Sequence, residues 1–140
     1  MFMKPFEGYA VGEKWRSRGR SITEADLVMF SALSGDWYPL HTDREWAAQG
    51  PYGQRIAHGM LLLSIATGLI TMDPGTVRAF YGMDRVRFVH PVFIGDTVHV
   101  DLEVTGLVPK SQGGVVEAQM TLGNQAQEPV AVAALKILVS

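Results

Sequence analysis

The stretch Ile56–Ile70, IAHGMLLLSIATGLI, is the most apolar run in the chain, and its reading decides the fold. As a helix it would extend only about 22 Å, against the roughly 30 Å of a bilayer's hydrocarbon core. It also carries His58, Ser64 and Thr67. The spacing predicts a long helix that is apolar almost all round, a pattern tolerated only inside protein. Asp73-Pro74-Gly75 closes it. A membrane role is not expected.

Upstream the period is helical as well. Thr23 reads as an N-cap with Asp26 as its acidic partner. Leu27, Met29, Phe30, Ala32 and Leu33 follow at mixed three–four spacing, and Ser34-Gly35-Asp36 stops the helix. Thr42 or Asp43 can cap a short second helix through Glu45–Ala48, ended by Gly50-Pro51.

Downstream the period changes to two. Val98, Val100, Leu102 and Val104 alternate with His99, Asp101, Glu103 and Thr105, as in a half-buried strand. Val116, Ala118, Met120 and Leu122 repeat the pattern after a Gly113-Gly114 turn. The segment 129–139 is apolar on both faces except Lys136, as in a strand covered on both sides. Phe80-Tyr81 and Val86–Val92 supply earlier strand material, with Gly95-Asp96 as a hairpin turn. The class is α+β: about five antiparallel strands curled around one long buried helix. Such a sheet leaves edges, and dimerisation covers them economically.

The chain has 140 residues, 47% hydrophobic and 19% charged, with no cysteine and a formal charge of −2. That is one domain's worth of chain, and a single domain over residues 1–140 is expected. The charge excludes a broad basic footprint, so nucleic acid is not an expected partner. The missing thiols exclude disulfides, Cys-ligated metals and a Cys nucleophile. The first fifteen residues lack an apolar signal core, and a cytoplasmic location is the expectation.

Two segments can carry chemistry. In Ser34-Gly35-Asp36-Trp37-Tyr38-Pro39-Leu40-His41-Thr42-Asp43, a carboxylate and an imidazole stand five residues apart across a Pro-stiffened connection. Asp36 and His41 can converge to move protons near neutral pH, or Asp36 can simply make an Asx-turn at a helix stop. In Arg55-Ile56-Ala57-His58-Gly59-Met60-Leu61, Gly59 opens the buried helix. Its bare N–H can stabilise an oxyanion, or the glycine can serve close packing of helix on sheet. No metal site is expected, because His41 and Asp43 lack a third ligand nearby. His99 alternates outward and reads as solvent-facing; His90 reads as a surface or hydrogen-bonded histidine at a strand end.

Together these segments resemble the MaoC-like, (R)-specific enoyl-CoA hydratases of hot-dog fold. That family's pattern is a helix ending in S/A-G-D, then x-N-P-x-H-x-D, then I-x-H-G-M/L. Here it stands as SGDWYPLHTD, REWAAQGPYGQR and IAHGMLLLSIATG, and RVRFVHPVFIGDTV is similar to the family's F-x-x-P-V-x-x-G-D. The resemblance runs from Ile22 to Val104. It implies a hydratase/dehydratase acting on a trans-2-enoyl-CoA and its (R)-3-hydroxyacyl partner. Asp36 and His41 match the pair that holds the water, and Gly59 matches the residue whose N–H polarises the thioester carbonyl. Tyr38, Pro39, His58 and Thr67 are the candidate substrate-binding residues. Tyr38 departs from the family's usual Asn, and a Thr67 hydroxyl bonding back to its own helix is the plainer state. The resemblance implies no cofactor, with coenzyme A as a substrate handle, and a homodimer or dimer of dimers. A thioesterase, an acyl-carrier-protein dehydratase and a non-catalytic acyl-thioester-binding subunit stay open as alternatives.

Overall fold

The computed structural model describes all 140 residues. Four helices precede the four long strands: α1 (Glu24–Ser34), α2 (Pro39–Thr42), α3 (Arg44–Ala48) and α4 (Gly59–Leu69). The long strands are β3 (Val77–Phe88), β4 (Thr97–Pro109), β5 (Gly114–Gly123) and β6 (Pro129–Val139), with short strands β1 (Lys14–Arg16) and β2 (Arg20–Ser21) at the start of the chain. All pairings are antiparallel, in the order β1-β4-β5-β6-β3, with β2 also on β4. One face of the sheet and α4 share one core, which holds Leu61, Leu62, Ala66 and Leu69 together with Val100, Met120 and Ile137. No helix is long and apolar enough to cross a membrane.

The caps behave as their chemistry requires. Thr23 and Asp26 form a reciprocal capping box, Gly35 ends α1 in the left-handed region at φ 77°, and Asp43 caps α3 by accepting from the Trp46 N–H at 2.9 Å. The core face of α1 is narrower than its apolar residues suggest. Only Leu27 and Ser31 are buried, while Leu33 is 83% exposed.

Several expectations need correction. The long helix begins at Gly59 and not at Ile56, because Ile56 and Ala57 are extended: Ile56 bridges Phe93, and the Ala57 N–H donates to the Val92 carbonyl at 2.8 Å. Nor is α4 buried all round, since Met60, Ser64 and Gly68, four residues apart, form an exposed stripe. The strand expected over Val86–Val92 is the end of a longer β3, which stops at Phe88. In β6 one face is fully buried and the other only half-buried. His99 is not solvent-facing. It pairs across the sheet with Gly123, and the missing side chain there lets the imidazole lie down on the sheet, 3.4 Å from Asp101.

The first residues also matter more than their composition signals. Phe2 is fully buried against Tyr9 and Trp15, and its N–H donates to Thr71. Phe6 lies over Gly114, where a Cβ would meet its ring at 2.4 Å, and donates its N–H to the last residue, Ser140.

Candidate active site

A cavity of about 420 Å³ opens between the start of α4, the Asp36 turn and the end of β3. Asp36, His41, His58, Gly59 and Phe88 line it, and Val92 is among its apolar walls. A carboxylate oxygen of Asp36 and a ring nitrogen each of His41 and His58 lie within 4.8 Å of one another. The five-residue spacing works because Gly35 turns the chain and Pro39 starts α2, a single helical turn that carries His41 back over Asp36.

Each polar group is held by the backbone. The Asp36 carboxylate accepts the Tyr38 N–H at 3.2 Å, so the Asx-turn forms and still leaves the second oxygen free. His41 Nδ1 lies 2.7 Å from the Ile56 carbonyl. A carbonyl only accepts, so Nδ1 carries the proton, and in the neutral ring Nε2 keeps its lone pair. His41 stacks on His58 with centroids 3.9 Å apart and planes inclined by 24°. The His58 ring is 2% exposed; Nε2 lies 3.0 Å from Ser31 Oγ and 3.1 Å from the Asp36 carbonyl, and Nδ1 is buried without a partner. Burial, with a smaller push from His41, holds the His58 pKa below its ordinary 6.5, against the opposing pull of the Asp36 carbonyl.

Gly59 is the first residue of α4, and the first intrahelical bond is Leu62 N–H to His58 C=O at 3.1 Å. The N–H groups of Gly59, Met60 and Leu61 are therefore left over, at the positive end of the helix. The place of the absent Cβ is already taken. A methyl on Gly59 would meet the tip of the Phe88 ring at 2.6 Å. Close packing and a free N–H thus coexist at one residue.

The remaining candidates are placed differently. Tyr38 is half-exposed, its ring against His41 and Trp46, and neither it nor Pro39 lines the cavity. Thr67 donates its hydroxyl to the Ser64 carbonyl at 2.7 Å and also stays outside. Of the nearby aromatics Tyr52 lines the cavity, while Trp37 and Trp46 do not. Phe88, which sequence reasoning left unassigned, and His90, read there as a surface or hydrogen-bonded histidine, both line the cavity. Their only signal was membership of the RVRFVHPVF segment, whose chain distance from Gly59 hides the contact. As cation ligands the three polar groups fall short. His58 Nε2 is engaged and Nδ1 sealed, leaving two donors where a catalytic zinc takes three protein ligands.

Residues 7–126 match the family described as the MaoC like domain. The chain belongs to that family. The (R)-specific enoyl-CoA hydratase of Rhodospirillum rubrum is 37% identical over 110 residues, covering 76% of this chain and 74% of that protein. Protein MaoC of Klebsiella aerogenes is 44% identical over 103 residues, 72% of this chain; the match spans only 30% of that longer protein. Among solved structures, a monoamine oxidase regulatory protein from Archaeoglobus fulgius superposes with a TM-score of 0.91 at 38% identity, over 98% of this chain and 95% of that one. The MaoC-like chain has the hot-dog fold, the antiparallel sheet being wrapped around α4.

Proposed function

We propose that this protein is a hydratase/dehydratase interconverting a trans-2-enoyl-CoA and the (R)-3-hydroxyacyl-CoA, with water handled by Asp36 and His41 and the thioester oxygen met by the Gly59 N–H. The observation that carries the reading is the convergence of a free carboxylate oxygen, an imidazole with Nε2 unpartnered and a helix-opening N–H on one apolar-walled cavity. The relative from Rhodospirillum rubrum supports it by name.

Two acceptors less than 5 Å apart can share one water, which donates one hydrogen to each. In hydration the water oxygen bonds carbon 3 as one of its O–H bonds breaks. The proton passes to the Asp36–His41 pair, which delivers a proton to carbon 2, so the pair ends as it began. Charge that builds on the thioester oxygen meets the Gly59 N–H and the helix terminus, a contribution of about 3 kcal/mol in comparable sites. No redox step or cofactor is required by this balance.

Purified protein with crotonyl-CoA, followed by loss of the enoyl-thioester absorbance, tests the reading. Asp36→Asn and His41→Ala are each expected to lower kcat by about 10²–10⁴-fold and leave the fold intact. Release of free thiol would instead mean thioester hydrolysis. Full activity in either variant overturns the site assignment.

We further propose a homodimer. β3 is the last strand of the sheet, twelve residues long, with its outer edge unpaired and Phe80, Tyr81 and Phe88 substantially exposed. A long strand edge left open, with aromatic side chains exposed along it, is a template for a second strand.

A further inference from the structure

The hydration scheme makes no use of His58, yet its ring is the most deeply buried polar side chain lining the cavity. Its Nε2 lies 3.0 Å from Ser31 Oγ and 3.1 Å from the Asp36 carbonyl. Because the carbonyl can only accept, Nε2 carries the proton, and its N–H is shared between the two oxygens. Nδ1 then holds a buried lone pair with no partner. A native fold seldom keeps such an atom without a reason, since an apolar side chain would fill the same space at no polar cost. Ser31 repeats the signal. It is a fully buried hydroxyl on the core face of α1 whose side-chain bond goes to this ring.

We propose that His58 is a positioning residue for the reaction: its N–H clamps the Asp36 backbone against α1, and its face sets the plane of His41. The Asp36 carboxylate and His41 Nε2 are thereby aimed at one water. The inference rests on the hydratase reading and gives His58 no contact with the acyl thioester.

The turn it holds needs such a clamp. Between Gly35 and Tyr38 there is no regular element, and the backbone N–H groups of Asp36, Trp37 and Tyr38 each donate locally at 3.2 Å. None of those bonds reaches α4, which carries Gly59. The Asp36 carbonyl on His58 does, and it crosses twenty-two residues of chain to do so. One ring therefore joins α1 through Ser31, the turn through Asp36, α2 through the His41 stack and α4 through its own place as N-cap.

The test compares His58→Gln with His58→Met, which are close in size and differ in having or lacking an amide donor. Turnover of crotonyl-CoA is measured beside amide hydrogen exchange at Trp37 and Tyr38. His58→Met is expected to stay folded and lose about 10²-fold in kcat, as a misplaced catalytic group does, with KM within roughly threefold. His58→Gln is expected to recover about tenfold of that loss. Exchange at Trp37 and Tyr38 should quicken in the Met variant and slow again in the Gln variant.

A folded His58→Met with kcat near wild type overturns the proposal, as does a loss confined to KM, or a Gln variant no better than Met. Should His58→Met fail to fold, Ser31→Ala loosens the same ring from α1 and is read by the same two measurements, where no change in either overturns it. Wild-type silence toward crotonyl-CoA and toward longer and aromatic enoyl-CoAs would sink the hydratase reading itself. The exchange arm then judges the clamp alone: faster exchange in the Met variant upholds it, and unchanged exchange overturns it.

Discussion

At the residue scale, Gly59 answers two demands at once. Its N–H is unspent, and its missing Cβ makes room for Phe88. Gly59→Ala would place a methyl 2.6 Å from Phe88 Cζ, so the ring must turn out into the cavity or the helix start must retreat. We expect a destabilisation of about 1–3 kcal/mol, the usual cost of overpacking, together with a fall in kcat/KM. Phe88→Ala in the same chain removes the clash and should restore the melting temperature of the single variant. A Gly59→Ala protein that melts and turns over like wild type would show that the ring is not seated there. His58 makes a second residue-scale prediction, on pH. Its folded pKa lies below the ordinary 6.5, so the unfolded chain binds the extra proton first. Stability should therefore decline as pH falls from about 7 through 6.5, and His58→Gln should flatten that decline in urea titrations at pH 7.5 and 5.5.

The helices and strands fall where their local chemistry puts them, with ends adjusted by neighbours. The start of α1 is the clearest case. Thr23 and Asp26 exchange hydrogen bonds, and Arg20 grips Asp26 with two bonds of 2.7 Å. The Arg20 hydrogen bonds, with those from Thr23, hold the Asp26 carboxyl at about 2, below its ordinary 3.8, against the opposing effect of burial. The unfolded chain takes up a proton near 3.8 and the folded chain near 2, so this contribution is full above about pH 4 and is lost as pH falls through about 2. Asp26→Ala at pH 7 should cost about 1–2 kcal/mol by chemical denaturation, and the difference from wild type should shrink toward pH 2. A constant difference across that range would mean the carboxylate is not the stabilising group. The start of α4 shows the limit of local reading. Periodicity carries the helix back to Ile56, but Ile56 and Ala57 are drawn into extended pairing with Val92 and Phe93. That pairing lets the Ile56 carbonyl orient His41.

At the scale of the whole molecule, the sheet ends at one side in the short β1 and β2 and at the other in the long β3. Lysine at both Phe80 and Tyr81 should convert the proposed dimer to a monomer in light scattering, with little change in the monomer's own fold. A wild-type protein already monomeric at tens of micromolar would end the dimer proposal. The α+β class, the capping box, the Gly35 stop, the Asp43 cap and the alternation of β4 and β5 were legible because each depends on neighbours two to four residues away. The pairing of Asp36 with His41 was legible for the same reason, since one tight turn and one helical turn separate them. The His58 clamp, the seat of Phe88 on Gly59, the seat of His99 over Gly123 and the burial of Phe2 were not. Each is a contact between residues far apart in the chain, made by the way the sheet curls around α4. Local propensity carries no record of which distant side chain fills a gap, so the sequence by itself determined the elements and the closeness of the proposed Asp36–His41 pair. Only the tertiary structure decided how that pair is held.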